Sequence, residues 1–234
     1  MKKIITKKLS VSCIIMICLL FQSISVFAKE INGDMTYEEG AQKVVITDEM
    51  RQREEEKLNA FRNLRAYESY IKLNVSYFGQ ENHYYCGPAT VKQVIYYVTK
   101  SLRTQDFYAS KLGTTTDGTD MTMIPAVLNN YIDEDHYMYS KIGSQSEWLE
   151  KVRYSLHYGK PAVLDLNTLA VNEDKQKMIF PYDSTGHYVN VSGYDGSAGK
   201  IMITDPNDPS GNIWYSISDL YAANNSHFRK AIVW

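Results

Sequence analysis

Hydrophobic and polar positions change rhythm several times along the chain. An apolar run from Val11 to Phe21 is preceded by Lys2, Lys3, Lys7 and Lys8 and followed by Val26-Phe27-Ala28. From Lys29 to about Tyr70 apolar positions are sparse: Leu58, Phe61 and Leu64 follow the charged stretch Asp48 to Lys57, which predicts a polar helix poorly equipped to pack. At Ile71 the period becomes two, Leu73, Val75 and Tyr77 alternating with polar residues as a half-buried strand would. It then becomes helical. Gly87-Pro88 is a permitted first-turn pair, and Val91, Val94, Ile95 and Val98 recur at helical spacing, so the helix starts at Cys86.

Gly113 to Asp120 is a turn-rich loop, after which Ile124, Leu128 and Tyr131 mark another helix. Ser144 and Glu147 form a capping-box pattern ahead of Trp148, Leu149, Val152 and Leu156, with Gly159 as the stop. Pro161 to Leu166, His187 to Tyr194 and Lys200 to Asp205 read as strands. Helices first and strands late imply an α+β fold, a helical half packed on an antiparallel sheet half.

With 234 residues, 44% of them hydrophobic, the chain supplies one sizeable core. The pattern divides into a signal peptide at residues 1–28, a polar segment at 29–70 and one domain at 71–234. The apolar run is shorter than the ~20 residues of a spanning helix and is interrupted by Gln22 and Ser23, which favours cleavage after Ala28 over a retained anchor. Met16-Ile17 ahead of Cys18 are too bulky for a lipoprotein signal. The expectation is a protein secreted or held at the cell surface, outside the cytoplasmic membrane and with no stable membrane insertion. The segment at 29–70 reads as a solvated helix with no role in regulation, the usual meaning of a charge run, with a removable propeptide or an arm leading into the domain as the alternatives. Loss of the four signal lysines leaves 21 basic against 27 acidic residues, a net charge of −6, which argues against a nucleic-acid partner.

Cleavage also removes Cys13 and Cys18, leaving Cys86 alone. A lone cysteine in an exported chain forms no internal disulfide; it is a reactive thiol, an intermolecular partner or an inert buried residue. A helix N-terminus and a nearby imidazolium both stabilise a thiolate. His187 begins one predicted strand and Asp205 ends the next. A hairpin centred near residue 196 pairs 187 with 205, and one centred a residue later sets Asp205 diagonal to His187; either register brings carboxylate and imidazole together. Asp205 would then accept the Nδ1 proton of His187 and leave Nε2 for the thiol, the nucleophile, base and orienter of acyl transfer. The N–H of Cys86 and the amide of Gln80, six residues earlier, are candidate oxyanion donors.

Gln80 to Thr90, reading Gln-Glu-Asn-His-Tyr-Tyr-Cys-Gly-Pro-Ala-Thr, together with His187 to Asp195 and Asp205-Pro206, resembles the bacteriocin-processing, double-glycine leader peptidases and their stand-alone relatives, the cysteine peptidase family numbered thirty-nine. The resemblance runs from about Leu73 to the C-terminus. It implies a papain-like fold, a peptide or protein substrate, no cofactor, and an active site formed by Cys86, His187, Asp205 and Gln80. The chain departs from the transporter-linked members, which are cytosolic and fused to an exporter. Tyr85 also stands where leader-processing members commonly carry an acidic residue.

The same residues serve acyl or peptidyl transfer, or amidase attack on a cell-wall peptide, and a peptidase fold without turnover is an exported binding module. His83 suits a loop beside the cleft, His157 a structural role at a helix end, and His136 and His227 the surface. Asp117-Gly118-Thr119-Asp120 and Asp205 to Asp208 are rich in oxygen but match no calcium loop, and no zinc pattern occurs, so no metal is expected. The 19 tyrosines are scattered, as in ordinary core and surface use.

Overall fold

A computed structural model describes residues 44–64, 68–171 and 180–234. The signal-like run and the first part of the polar segment lie outside the described residues. The described chain folds as α1 (Asp48–Arg62), β1 (Tyr70–Lys72), α2 (Cys86–Thr99), α3 (Gln105–Leu112), a 3-10 turn (Met121–Met123), α4 (Ile124–Ile132), β2 (Tyr139–Lys141), α5 (Gln145–His157), β3 (Ala162–Leu166), β4 (His187–Asp195), β5 (Lys200–Thr204), β6 (Asn212–Ser216), α6 (Ile217–Ser226) and β7 (Ala231–Val233).

The strands form one antiparallel sheet in the order β2-β7-β3-β4-β5-β6. β4 is its organiser. Its first half pairs with β3, Leu166 opposite His187 and Ala162 opposite Val191, and its second half pairs with β1, Lys72 opposite Gly193. Because successive side chains leave a strand on opposite faces, β3 serves two cores. Ala162, Leu164 and Leu166 join a cluster with Trp148 and Leu156 of α5 and Leu220 of α6, whereas Val163 joins Val91 and Val94 of α2 and Leu128 of α4. A strand covered on both faces carries an unbroken apolar run, which explains the sequence from Ala162 to Leu164.

Local signals account for most helix ends. Thr104 caps α3 by accepting the Phe107 N–H, and Ser144 caps α5 by accepting that of Glu147 at 3.2 Å. Gly159, just past α5, takes φ +68°.

Three expectations are corrected. Leu73 and Val75 are buried as the alternation implies, but the strand stops at Lys72, and Tyr77 is exposed; only the Leu73 N–H continues to the sheet, bonding the Ser192 carbonyl at 2.7 Å. The polar helix α1 packs better than its composition suggests. Leu58 and Phe61 are each 2% exposed in the larger core, and Arg62 grips Glu150 of α5 through two bonds of 2.7 Å. Finally, His227 is not at the surface: it is 2% exposed, its Nδ1 lying 3.5 Å from the Asp165 carboxylate.

Candidate active site

Cys86 is the first residue of α2, and its preceding residue, Tyr85, gives that helix no side-chain cap. The N-cap residue thus offers no side-chain oxygen to the first turn at the thiol, and Pro88 has no N–H to satisfy. Gly87 is required there by a close approach: a Cβ at that position would lie 2.4 Å from Thr119 Oγ1 and 2.7 Å from its Cβ. The loop from Gly113 to Asp120 is thus wedged against the helix start. Its far side is tied to β4, where the Tyr188 hydroxyl donates to the Thr119 carbonyl at 3.0 Å.

Buried polar side chains lock α2 to β4. Thr90 Oγ1 donates to the Tyr188 carbonyl at 3.1 Å, and Asn190 Nδ2 donates to Gln93 Oε1 at 2.5 Å. Thr90, Gln93 and Asn190 are all 0% exposed, so their bonds are shielded from competition with water. This clamp brings the Tyr188 N–H to 3.4 Å from Cys86 Sγ, with His187 the adjacent residue.

His187 and Asp205, both 0% exposed, meet through Nε2 and Oδ1 at 2.8 Å. The hairpin uses the later of the two expected registers near the site: Asn190 opposes Thr204, which sets Asp205 diagonal to His187, while a bulge between Val191 and Gly193 shifts the outer half by one residue. The expected ring orientation is reversed. Nε2 rather than Nδ1 meets the carboxylate, and the buried Nδ1 has no hydrogen-bond partner. Which nitrogen reaches Asp205 depends on the side-chain torsions that His187 adopts in the packed core, and sequence spacing does not contain them.

Asp205 is itself held from three sides. Oδ1 accepts the Asn207 N–H at 2.8 Å, its own N–H meets the Gly211 carbonyl at 3.3 Å, and the buried Tyr182 hydroxyl donates to Oδ2. Burial and that carboxylate push the Tyr182 phenol well above its ordinary range, so it stays a donor. The Tyr182 ring also meets the His187 ring edge-on, centroids 4.8 Å apart. Tyr182 was not legible in the sequence; it lies outside every motif, in the chain leading to β4.

Gln80 is brought to the same end of the molecule by its backbone, its N–H bonding the carbonyl of Pro206 at 2.8 Å. Its side-chain Nε2 donates to the Asn82 carbonyl at 3.0 Å, leaving the second N–H of that nitrogen, and its Oε1 is buried without a partner. The structure therefore gathers all four sequence-predicted residues around the start of α2 and the β4–β5 end of the sheet.

The sequence profile of the Peptidase C39-like family matches residues 72–233. The chain belongs to that family. Its fold is the papain-like α+β fold, similar at a TM-score of 0.52 to a protein from Bacillus anthracis described as a C39-like peptidase, with 16% identity over 71% of this chain and 97% of that one. Two further solved structures are similar at lower TM-scores. One is a double glycine motif protease from an AMS/PCAT transporter, in complex with the leader peptide, at 16% identity over 70% of this chain and 91% of that one, with a TM-score of 0.46. The other is xylellain, a cysteine protease from Xylella fastidiosa, at 14% identity over 72% and 86%, with a TM-score of 0.47. No curated protein matches the chain.

The remaining expected residues of this C39-like chain fall elsewhere. His83 is exposed on the loop between Gln80 and Cys86. His157 ends α5 and pairs with Glu68 at 2.8 Å. His136 is half-buried against Tyr154, and burial beside Lys57 and Lys160 lowers its pKa to about 4. Among the described residues, no group of three or more His, Cys, Asp or Glu side chains is gathered to hold a metal ion.

Proposed function

We propose that this protein is an exported cysteine peptidase that hydrolyses peptide bonds through a thioester on Cys86. His187 takes the thiol proton on Nδ1 and Sγ attacks the carbonyl carbon of the scissile bond. The oxyanion is received by the Cys86 N–H at the helix start and by the Gln80 amide, and the C–N bond then breaks as His187 returns the proton to the leaving amine. Water, deprotonated by His187, hydrolyses the thioester and restores the thiol. Asp205 fixes the imidazole through Nε2 and balances its charge in the protonated state.

The observation that carries this reading is the fully buried 2.8 Å His187–Asp205 pair, one residue from the N–H that touches Cys86 Sγ. A peptide substrate is the class that the family's membership favours. Export rests on the basic and apolar pattern of residues 1–28.

One observation favours a second reading. Cys86 is 0% exposed, as a non-catalytic exported binding module would tolerate, whereas a peptidase must open to its substrate. Iodoacetamide labelling of the native protein at pH 6 separates the two. Rapid alkylation of Cys86, lost in His187→Ala, is the expected result; a thiol that labels only after unfolding would establish the binding module. Product mass then separates hydrolysis from transfer, since hydrolysis adds water and transfer adds the acceptor.

A further inference from the structure

Gln80 precedes Cys86 by six positions, and the loop between them contains neither helix nor strand. A donor on such a loop helps an oxyanion only if its backbone is fixed before the charge develops, because reorganisation during the reaction costs what the bond returns. The fixing groups come from α3, which the sequence patterns left unnoticed.

Gln105, the first residue of α3, is 1% exposed and forks around Gln80. Its Nε2 donates to the Gly79 carbonyl at 2.7 Å, and its Oε1 accepts the Glu81 N–H at 3.0 Å. The two peptide groups flanking Gln80 are thereby held by one side chain, while the N–H of Gln80 is held by Pro206 at 2.8 Å. The next residue of α3, Asp106, holds the other end of the loop by accepting the Tyr85 hydroxyl at 2.8 Å, and that bond raises the Tyr85 phenol to about 12. A side-chain amide has a matched donor and acceptor, which here satisfy a carbonyl and an N–H two residues apart; a carboxylate keeps only the acceptor, and an apolar residue keeps neither.

We propose that Gln105 is a positioning residue: by bonding Gly79 and Glu81 it sets the Gln80 amide in place for the oxyanion of the acyl-transfer step. The proposal rests on the cysteine-peptidase reading. It separates Gln105 from the Cys86–His187 pair, whose geometry is fixed by the α2–β4 clamp instead.

The test uses two reagents on the full mature chain. p-Nitrophenyl acetate acylates a thiol through a tetrahedral oxyanion and releases p-nitrophenolate in a burst, whereas iodoacetamide alkylates the same thiol by displacement at a saturated carbon, with no oxyanion. In Gln105→Ala the burst rate is expected to fall about tenfold while alkylation stays within about twofold. Gln105→Glu, which keeps the acceptor for Glu81, falls between, and it carries the test should the alanine variant fail to fold. In a Gln80→Ala background Gln105→Ala adds no further loss. Equal falls in acylation and alkylation, an unchanged burst, or a full additional loss in the Gln80→Ala background would each overturn the role. A wild-type protein that alkylates yet gives no burst overturns the peptidase reading itself, and the positioning role with it.

Discussion

Among the described residues, two buried histidine–aspartate pairs look alike in composition and differ in distance and in neighbours. His187 and Asp205 meet at 2.8 Å, and the histidine is next in the chain to the residue whose N–H touches Cys86. His227 and Asp165 approach only to 3.5 Å, and their neighbours are structural. Asn224, in the last turn of α6, donates to the carbonyls of Asp165 and Ala231 at 2.8 and 3.0 Å, and Arg229 pairs with Asp120 at 3.0 Å. Burial, with Arg229 and Lys141 nearby, lowers His227 to about 3, so it is held neutral at any ordinary pH. A buried histidine beside a carboxylate is therefore not in itself a site. The difference is the thiol at a helix start, which lies against the residue next to His187 and on the proposed reading gives that imidazole a proton to take.

The sharpest way to break this comparison is to remove each histidine. His187→Ala should lower the p-nitrophenyl acetate burst by at least about 10³-fold, roughly 4 kcal/mol of barrier, whereas His227→Gln should leave it within about threefold. Equal losses would mean that the pairs do not differ in function. Replacing the carboxylates gives a smaller contrast. Asp205→Asn should slow the burst roughly 10²-fold by unfixing the imidazole, while Asp165→Asn leaves the burst rate alone and lowers the unfolding free energy by about 1–3 kcal/mol in a denaturant titration.

Acid should act on the second pair. In the unfolded chain His227 takes a proton near its ordinary value of 6.5, but in the folded protein only near 3, so the unfolded state binds more protons between those values. Its contribution to stability is complete above about pH 6.5 and is lost as the pH falls toward 3. His136, lowered to about 4, acts with the same sign. Thermal unfolding at pH 4 and 7 should show His227→Gln to be less acid-sensitive than wild type, by on the order of 2 kcal/mol. The smallest expected effect is that of Tyr182→Phe, which deletes the bond to Asp205 Oδ2 and keeps the ring against His187. A burst slowed up to about tenfold, with Tm lowered only slightly, would make Tyr182 part of the His187–Asp205 geometry; an unchanged burst would make it packing.

Much of this was legible along the chain, for definite reasons. The start of α2 was visible because Gly87-Pro88 and the valines that follow obey helical rules, and the site strands were visible because β3 and β4 are covered on both faces. α3 was not, because its apolar positions, Phe107, Tyr108 and Leu112, are too few for a periodic signal and its anchoring residue is a buried glutamine. The strands β2, β6 and β7, of three to five residues, exist through their neighbours rather than through their own pattern. α1 shows the opposite: its apolar positions are sparse, yet Leu58 and Phe61 are three residues apart, one helical turn, and enter the same core.

The sequence by itself determined the identity and order of the chemical groups: one thiol at a helix start, a glutamine six residues before it, a histidine and an aspartate on consecutive strands. It also restricted the hairpin to two registers, both of which bring that histidine and aspartate together. The tertiary structure alone decided which register and which imidazole nitrogen are used, that His227 is buried and held neutral, and that Tyr182 and Gln105 hold Asp205 and the Gln80 loop. The physical reason is range. Helix starts, turns and strand periods are set by neighbours within a few residues, but a hydrogen bond from Gln105 to Gly79, or from Tyr182 to Asp205, joins positions over 20 residues apart and exists only once the core has fixed both ends.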